Sequence, residues 1–128
     1  MESDQKVLKV AVIGPKGQCG NPIVNELLSR GHSVVGISRN PPAQWDKPGD
    51  YSAVSLDLAD IRKTATVFSQ GFDAIVSAYG PPLERFNQVY FYCGEFQGKI
   101  KAALLASTHT GPFIIIGTIH QTAEYEHC

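Results

Sequence analysis

No Cys-x-x-Cys pair occurs in this sequence: the three cysteines, Cys19, Cys93 and Cys128, stand far apart. That excludes a zinc ribbon and a thioredoxin-type dithiol, and no metal site is expected. An odd number of thiols without an export signal reads as reduced cysteines in a cytoplasmic protein. An excess of charge of either sign is also missing. Eleven Lys and Arg stand against twelve Asp and Glu, for a formal net charge of -1. An electrostatic nucleic-acid binder needs a basic surplus, so nucleic acid is not an expected partner. No apolar run approaches the roughly 18 residues of a membrane span, so no membrane association is expected. There is no Gly-x-Ser-x-Gly elbow, and a hydrolase triad finds no support.

What is present is an ordinary globular composition. The 128 residues are 43% hydrophobic, enough for one domain, 1–128, with a core that needs no disulfide or metal staple. Strand and helix signals alternate. Val7 to Ile13 is a β-branched run expected to be buried on both faces. Pro22 suits the first turn of a helix, in which Ile23, Val24, Leu27 and Leu28 form one stripe before Arg30 and Gly31 close it. Ser33 to Ser38 reads as a second strand, Asn40 to Asp50 as a surface loop, and Ala53 to Asp57 as a third strand. Asp60 is a candidate N-cap for a helix stopped at Gly71. A fourth strand is expected over Phe72 to Ala78, a long helix from Leu83 to Ser107, and a fifth strand over Phe113 to Ile116. Residues 118–128 read as an irregular tail. This alternation predicts an α/β, Rossmann-like doubly wound parallel sheet, strand order 3-2-1-4-5.

The strongest chemical signal is Gly14-Pro15-Lys16-Gly17-Gln18-Cys19-Gly20, between the first strand and the first helix. Glycine at 14 permits a tight turn, glycine at 17 lets a pyrophosphate approach the backbone, and glycine at 20 lets helix and strand pack closely. Free N–H groups and the helix dipole then favour an anion. The spacing is G-x-x-G-x-x-G, and the strand-turn-helix context points to a nicotinamide dinucleotide; the alternative is a tight βα turn without a ligand. An NAD site usually places an acid about 20 residues beyond the glycines. No acid lies between Gly31 and Gln44, and Arg39 stands there instead. A guanidinium matches a 2′-phosphate, with Lys16 as a second cation, so NADP(H) is expected in preference to NAD(H). The alternative for Arg39 is an ordinary solvated arginine.

Lys9 to Pro41 resembles the opening of atypical short-chain dehydrogenase/reductases, and in particular the NAD(P)H-binding NADH-flavin reductase group, relatives of biliverdin/flavin reductases. Leu56-Asp57-Leu58 and the segment Asp73 to Pro81 extend the likeness over about residues 7–117. The resemblance implies that Gly14, Gly17 and Gly20 hold the pyrophosphate; Lys16, Gln18 and Cys19 between them are further candidate cofactor-binding residues. It implies that Arg39 holds the 2′-phosphate, that Asp57 and Leu58 border the adenine, and that Ala78, Tyr79 and Gly80 line the ribose and nicotinamide side. The sequence departs from the group in two places. Pro15 removes one N–H from the loop, and the chain stops soon after the fifth strand, as a truncated form of such a reductase would.

The function implied is hydride transfer from NAD(P)H to a flavin, quinone or similar planar acceptor. The Tyr-x-x-x-Lys pair of typical short-chain dehydrogenases is absent, since no tyrosine has a lysine four residues on. Tyr79 and His120 are the candidate catalytic residues; for His120 the alternative is a surface histidine near a terminus. Tyr90, Phe91, Tyr92 and Phe96 offer a stacking face for an acceptor ring or, alternatively, an aromatic core stripe. Two further readings stay open: a non-catalytic NAD(P)-binding module that senses redox state or binds a partner, and a truncated reductase fragment whose fifth strand is an exposed apolar edge.

Overall fold

The computed structural model describes residues 6–78 and 98–116. In chain order these form β1 (Lys9–Ile13), α1 (Gly20–Ser29), β2 (Ser33–Ser38), β3 (Tyr51–Ser55), α2 (Ile61–Phe68), β4 (Ala74–Ser77), α3 (helical residues 98–106) and β5 (Phe113–Ile115). The strands make one sheet in the order β3-β2-β1-β4-β5, and every pairing is parallel. The expected doubly wound topology is therefore the observed one.

Alternation along the central strands sends neighbouring side chains to opposite faces. Val10, Val12, Val34 and Val76 meet Val24 and Leu28 of α1 on one side. Ala11, Ile13, Val35, Ile37 and Ile75 meet Val67 and Phe68 of α2 and Ile100 and Ala103 of α3 on the other. Both faces of β1 are thus covered, as its unbroken apolar run requires. Asp60 does cap α2, its side chain accepting the Lys63 N–H at 3.1 Å.

Four strands differ in extent from the sequence reading; β5 ends at Ile115, one residue earlier than expected. β1 begins at Lys9, and Val7 is 64% exposed. β4 begins at Ala74: the Lys9 N–H donates to the Asp73 carboxylate at 2.8 Å, so a side chain takes the place of the next rung of the ladder. β3 lies two residues earlier than expected. Leu56 was expected inside the strand, but it leaves β3 and, with Leu58, enters the core under α2, which turns the chain at Asp57.

The β2–β3 connection carries no helix. Residues 40–50 instead fold back as a loop against α1, where the Trp45 indole N–H donates to Asn25 Oδ1 at 2.8 Å. Trp45 packs on the Tyr51 ring at 4.9 Å between centroids, and the Tyr51 hydroxyl donates to the Pro42 carbonyl at 2.9 Å. This aromatic pair covers sheet surface that a crossover helix would otherwise cover.

Candidate functional site

In a parallel sheet all strands end on one edge. In this order the connections diverge between β1 and β4, which opens a crevice at that edge. The turn after β1 sits there. Gly14 takes φ 80°, a value that glycine adopts without strain, and its N–H donates to the Ile37 carbonyl at 3.0 Å, fixing the loop against β2. The Gly17 N–H returns to the Gly14 carbonyl at 3.3 Å, and the Asn21 N–H reaches the Gly17 carbonyl at 3.0 Å. The Ala78 N–H closes the opposite wall on the Ile13 carbonyl at 2.9 Å.

The three glycines serve different ends. A Cβ on Gly20 would lie 1.9 Å from the Gly14 carbonyl oxygen, so Gly20 is required by the packing of α1 against the loop. A Cβ on Gly17 would meet only ordinary contacts, 3.6 Å from the Gly14 oxygen and 4.0 Å from the Ala78 oxygen. The protein's own packing does not demand a glycine at 17. The bare backbone there faces the gap between the loop and Ala78, which is where a pyrophosphate needs close approach.

The start of α1 is open to an anion. Cys19 is the N-cap but makes no side-chain cap bond, and no acid stands in the first turn. Among the described residues, the Gln18 and Cys19 N–H groups find no acceptor, and both residues are exposed. These unpaired donors and the positive end of the helix dipole point the same way. Pro15 is fully buried and its ring packs against Gly36 of β2. The Lys16 ammonium lies 5.7 Å from the centre of the Trp45 ring, held on the α1 side of the loop.

At the far end of the edge, Arg39 follows β2 and Asp57 follows β3. An Arg39 terminal nitrogen lies 3.6 Å from Asp57 Oδ1, with the side chains 75% and 54% exposed. The Ala59 N–H, bonded to Asp57 Oδ1 at 3.0 Å, and then the Arg39 guanidinium hold the Asp57 carboxyl below the usual carboxylate value. Leu58 is 6% exposed and belongs to the core, so a contact from this residue to an adenine falls to its backbone. Tyr79, Gly80, His120 and the aromatic residues 90–96 lie outside the described residues.

Two features escaped the sequence reading. The Asp57 carboxylate stands beside Arg39, although the segment around Arg39 holds no acid. Trp45 and Tyr51 tie the loop after Arg39 to α1 and bring Lys16 with them. A lone tryptophan in a loop rich in proline was the available signal for the second; the first depends on strand pairing.

A glycine-lined turn between β1 and α1, opening at the point where a parallel sheet reverses direction, defines a Rossmann-like dinucleotide-binding domain. The chain belongs to the NAD dependent epimerase/dehydratase family, whose pattern matches residues 10–127. It is 33% identical over 114 residues to an uncharacterised protein of Mycobacterium tuberculosis, covering 89% of this chain and 12% of that one. A structure from Streptococcus pneumoniae described as a "putative NADH-flavin reductase" is 28% identical, with a TM-score of 0.58 over 86% of this chain and 47% of the other. A short chain dehydrogenase from Leptospira borgpetersenii, solved with bound NAD+, shares the fold at a TM-score of 0.69 and 16% identity, over 95% of this chain and 56% of that one. The chain thus spans about half the length or less of these proteins. Among the described residues no helix is long and apolar enough to cross a membrane, and no group of potential metal ligands converges.

Proposed function

We propose that this chain binds NADP(H) in preference to NAD(H) and serves an NAD(P)H-dependent reductase that passes a hydride to a flavin, quinone or similar planar acceptor. The observation that carries the binding is Gly17: its backbone is bare toward the gap beside Ala78, and no packing constraint of the protein explains it. In this reading Gly14, Gly17 and Gly20 shape the pyrophosphate cradle, and the N–H groups of Gln18 and Cys19 donate to it. Lys16 and Arg39 face the adenosine phosphate, Asp57 and the Leu58 backbone border the adenine, and Ala78 with Tyr79 and Gly80 lines the ribose and nicotinamide side. A reduced nicotinamide supplies the hydride. The chain's own task is to orient the cofactor and leave one face open to a flat acceptor, which takes its proton from water or from a donor such as Tyr79 or His120.

The acceptor class follows from likeness to the NADH-flavin reductase group, since fold alone does not set function. A second reading, a binding module without turnover, is favoured by the absence of Tyr-x-x-x-Lys. One experiment separates them. Trp45 is the only tryptophan and lies beside the loop, so its fluorescence reports a titration with NADPH and then NADH. Micromolar NADPH binding, tighter than NADH, with cofactor oxidation once flavins or quinones are added, is the expected result. Binding without oxidation across that panel selects the module, and binding of neither cofactor overturns both readings.

A further inference from the structure

The two cations beside the loop are held differently. Arg39 lies 3.6 Å from the Asp57 carboxylate. Lys16 makes no ion pair among the described residues; its ammonium stands over the Trp45 ring, 5.7 Å from the centre. The Lys16 backbone is fixed, because Pro15 before it is buried and the Gly17 N–H after it returns to the Gly14 carbonyl. Its long side chain is exposed, and ordering such a chain is among the larger side-chain entropy costs. The ring that meets it is itself anchored. The indole N–H donates to Asn25 Oδ1 at 2.8 Å, and the Asn25 amide donates in turn to Asn21 Oδ1 at 3.1 Å. The Asn21 N–H is bonded to the Gly17 carbonyl at 3.0 Å. The ring is thus tied, through the first turns of α1, to the same loop that carries Lys16. Tyr51 stacks against it, and both rings pack on the α1 side of the core.

We propose that Trp45 is a positioning residue for NADP(H): its ring face holds the Lys16 ammonium in place for the adenosine 2′-phosphate and so adds to the preference over NAD(H). The proposal rests on the reading of Lys16 as a phosphate partner. A cation over an aromatic face is attracted by the ring quadrupole, and its N–H donors remain free to turn outward. The ring and a phosphate therefore share the ammonium without competing for it. A carboxylate in the ring's place would hold Lys16 as well, but it would repel the phosphate. The ring holds the cation and leaves its charge unspent. Trp45 touches no phosphate in this arrangement; it acts through Lys16.

The test is a double-mutant cycle on the whole chain: Lys16→Met, Trp45→Leu and the two together, with Trp45→Phe beside them. Each is titrated with NADPH and NADH, read by the emission of the reduced nicotinamide because the indole itself is changed. Trp45→Leu should weaken NADPH about two- to fivefold, the scale of an exposed cation–π contact, and leave NADH unchanged. Trp45→Phe keeps a ring face under the ammonium and should regain most of that loss. In the Lys16→Met background Trp45→Leu should have no further effect, because nothing remains for the ring to position. If Lys16→Met leaves NADPH binding as it was, the reading of Lys16 falls and the role of Trp45 falls with it. If Lys16→Met weakens NADPH alone, that reading stands. The proposal is then overturned by a Trp45→Leu that leaves NADPH unchanged or tighter, weakens both cofactors alike, or acts as strongly without Lys16. It is overturned equally by a Trp45→Phe that binds no better than Trp45→Leu.

Discussion

The two ends of the site are built from different materials. The phosphate-loop end is backbone: Gly14 is set by its positive φ, Gly20 by close approach of α1 to the loop, and Pro15 is buried beside them. The end proposed for the adenosine is side chain: Arg39 and Asp57 face each other across solvent, more than half exposed. Changes at the first end should therefore act on folding or on all dinucleotides alike. Changes at the second should leave folding alone and alter only which dinucleotide is preferred.

The largest effect expected is at Gly20. A methyl group 1.9 Å from the Gly14 oxygen cannot be accommodated without moving α1 away from β1. Gly20→Ala should cost about 3 kcal/mol or more, a fall in Tm of about 10 °C, measured by thermal unfolding without cofactor. A Tm within about 2 °C of the parent would mean that the loop yields easily, and the contrast between the two ends would lose its basis.

Gly17 divides the same loop more finely. Gly17→Ala places its methyl group in ordinary contact with the Gly14 and Ala78 oxygens. Stability should change by less than about 0.5 kcal/mol, while NADPH and NADH affinities fall together by about tenfold or more, because the methyl occupies the approach of the pyrophosphate. Unfolding and titration of one preparation give both numbers. An affinity that survives the substitution would remove Gly17 from the cradle.

These two glycines also show how much could be read from the chain. The loop, the order of strands and the cap at Asp60 rest on residues near in sequence whose roles follow from local geometry, and they were legible. The bounds of β3 were not, because Leu56 reads as one more apolar strand residue but leaves the sheet after Ser55 to pack under α2. Asp57 beside Arg39 was not legible either. The two are 18 positions apart and meet only because β2 and β3 pair in one register. What depends on contacts across the sheet appears only once the sheet is assembled.

A smaller effect is expected at Tyr51, which joins the two ends through Pro42, Trp45 and Lys16. Burial raises the Tyr51 pKa, so its hydroxyl stays protonated and donating across neutral pH. Tyr51→Phe keeps the ring on Trp45 and loses the 2.9 Å bond to the Pro42 carbonyl. The expected cost is about 1 kcal/mol, or about 4 °C in Tm. No change would mean that packing alone holds the 40–50 loop.

The smallest effect comes from a second exposed ion pair, Arg30 to Glu26 on α1, at 2.6 Å with side chains 68% and 61% exposed. It is shorter than the Arg39–Asp57 pair and similarly solvated, so neither pair should add much to stability. Glu26→Gln should change stability by less than about 0.5 kcal/mol, with the NADPH-to-NADH affinity ratio unchanged. The two pairs then differ only in location, one at the last turn of α1 and the other at the strand edge proposed for the dinucleotide. If Glu26→Gln shifts the ratio, cofactor choice follows the charge of the whole surface and not the corner between β2 and β3.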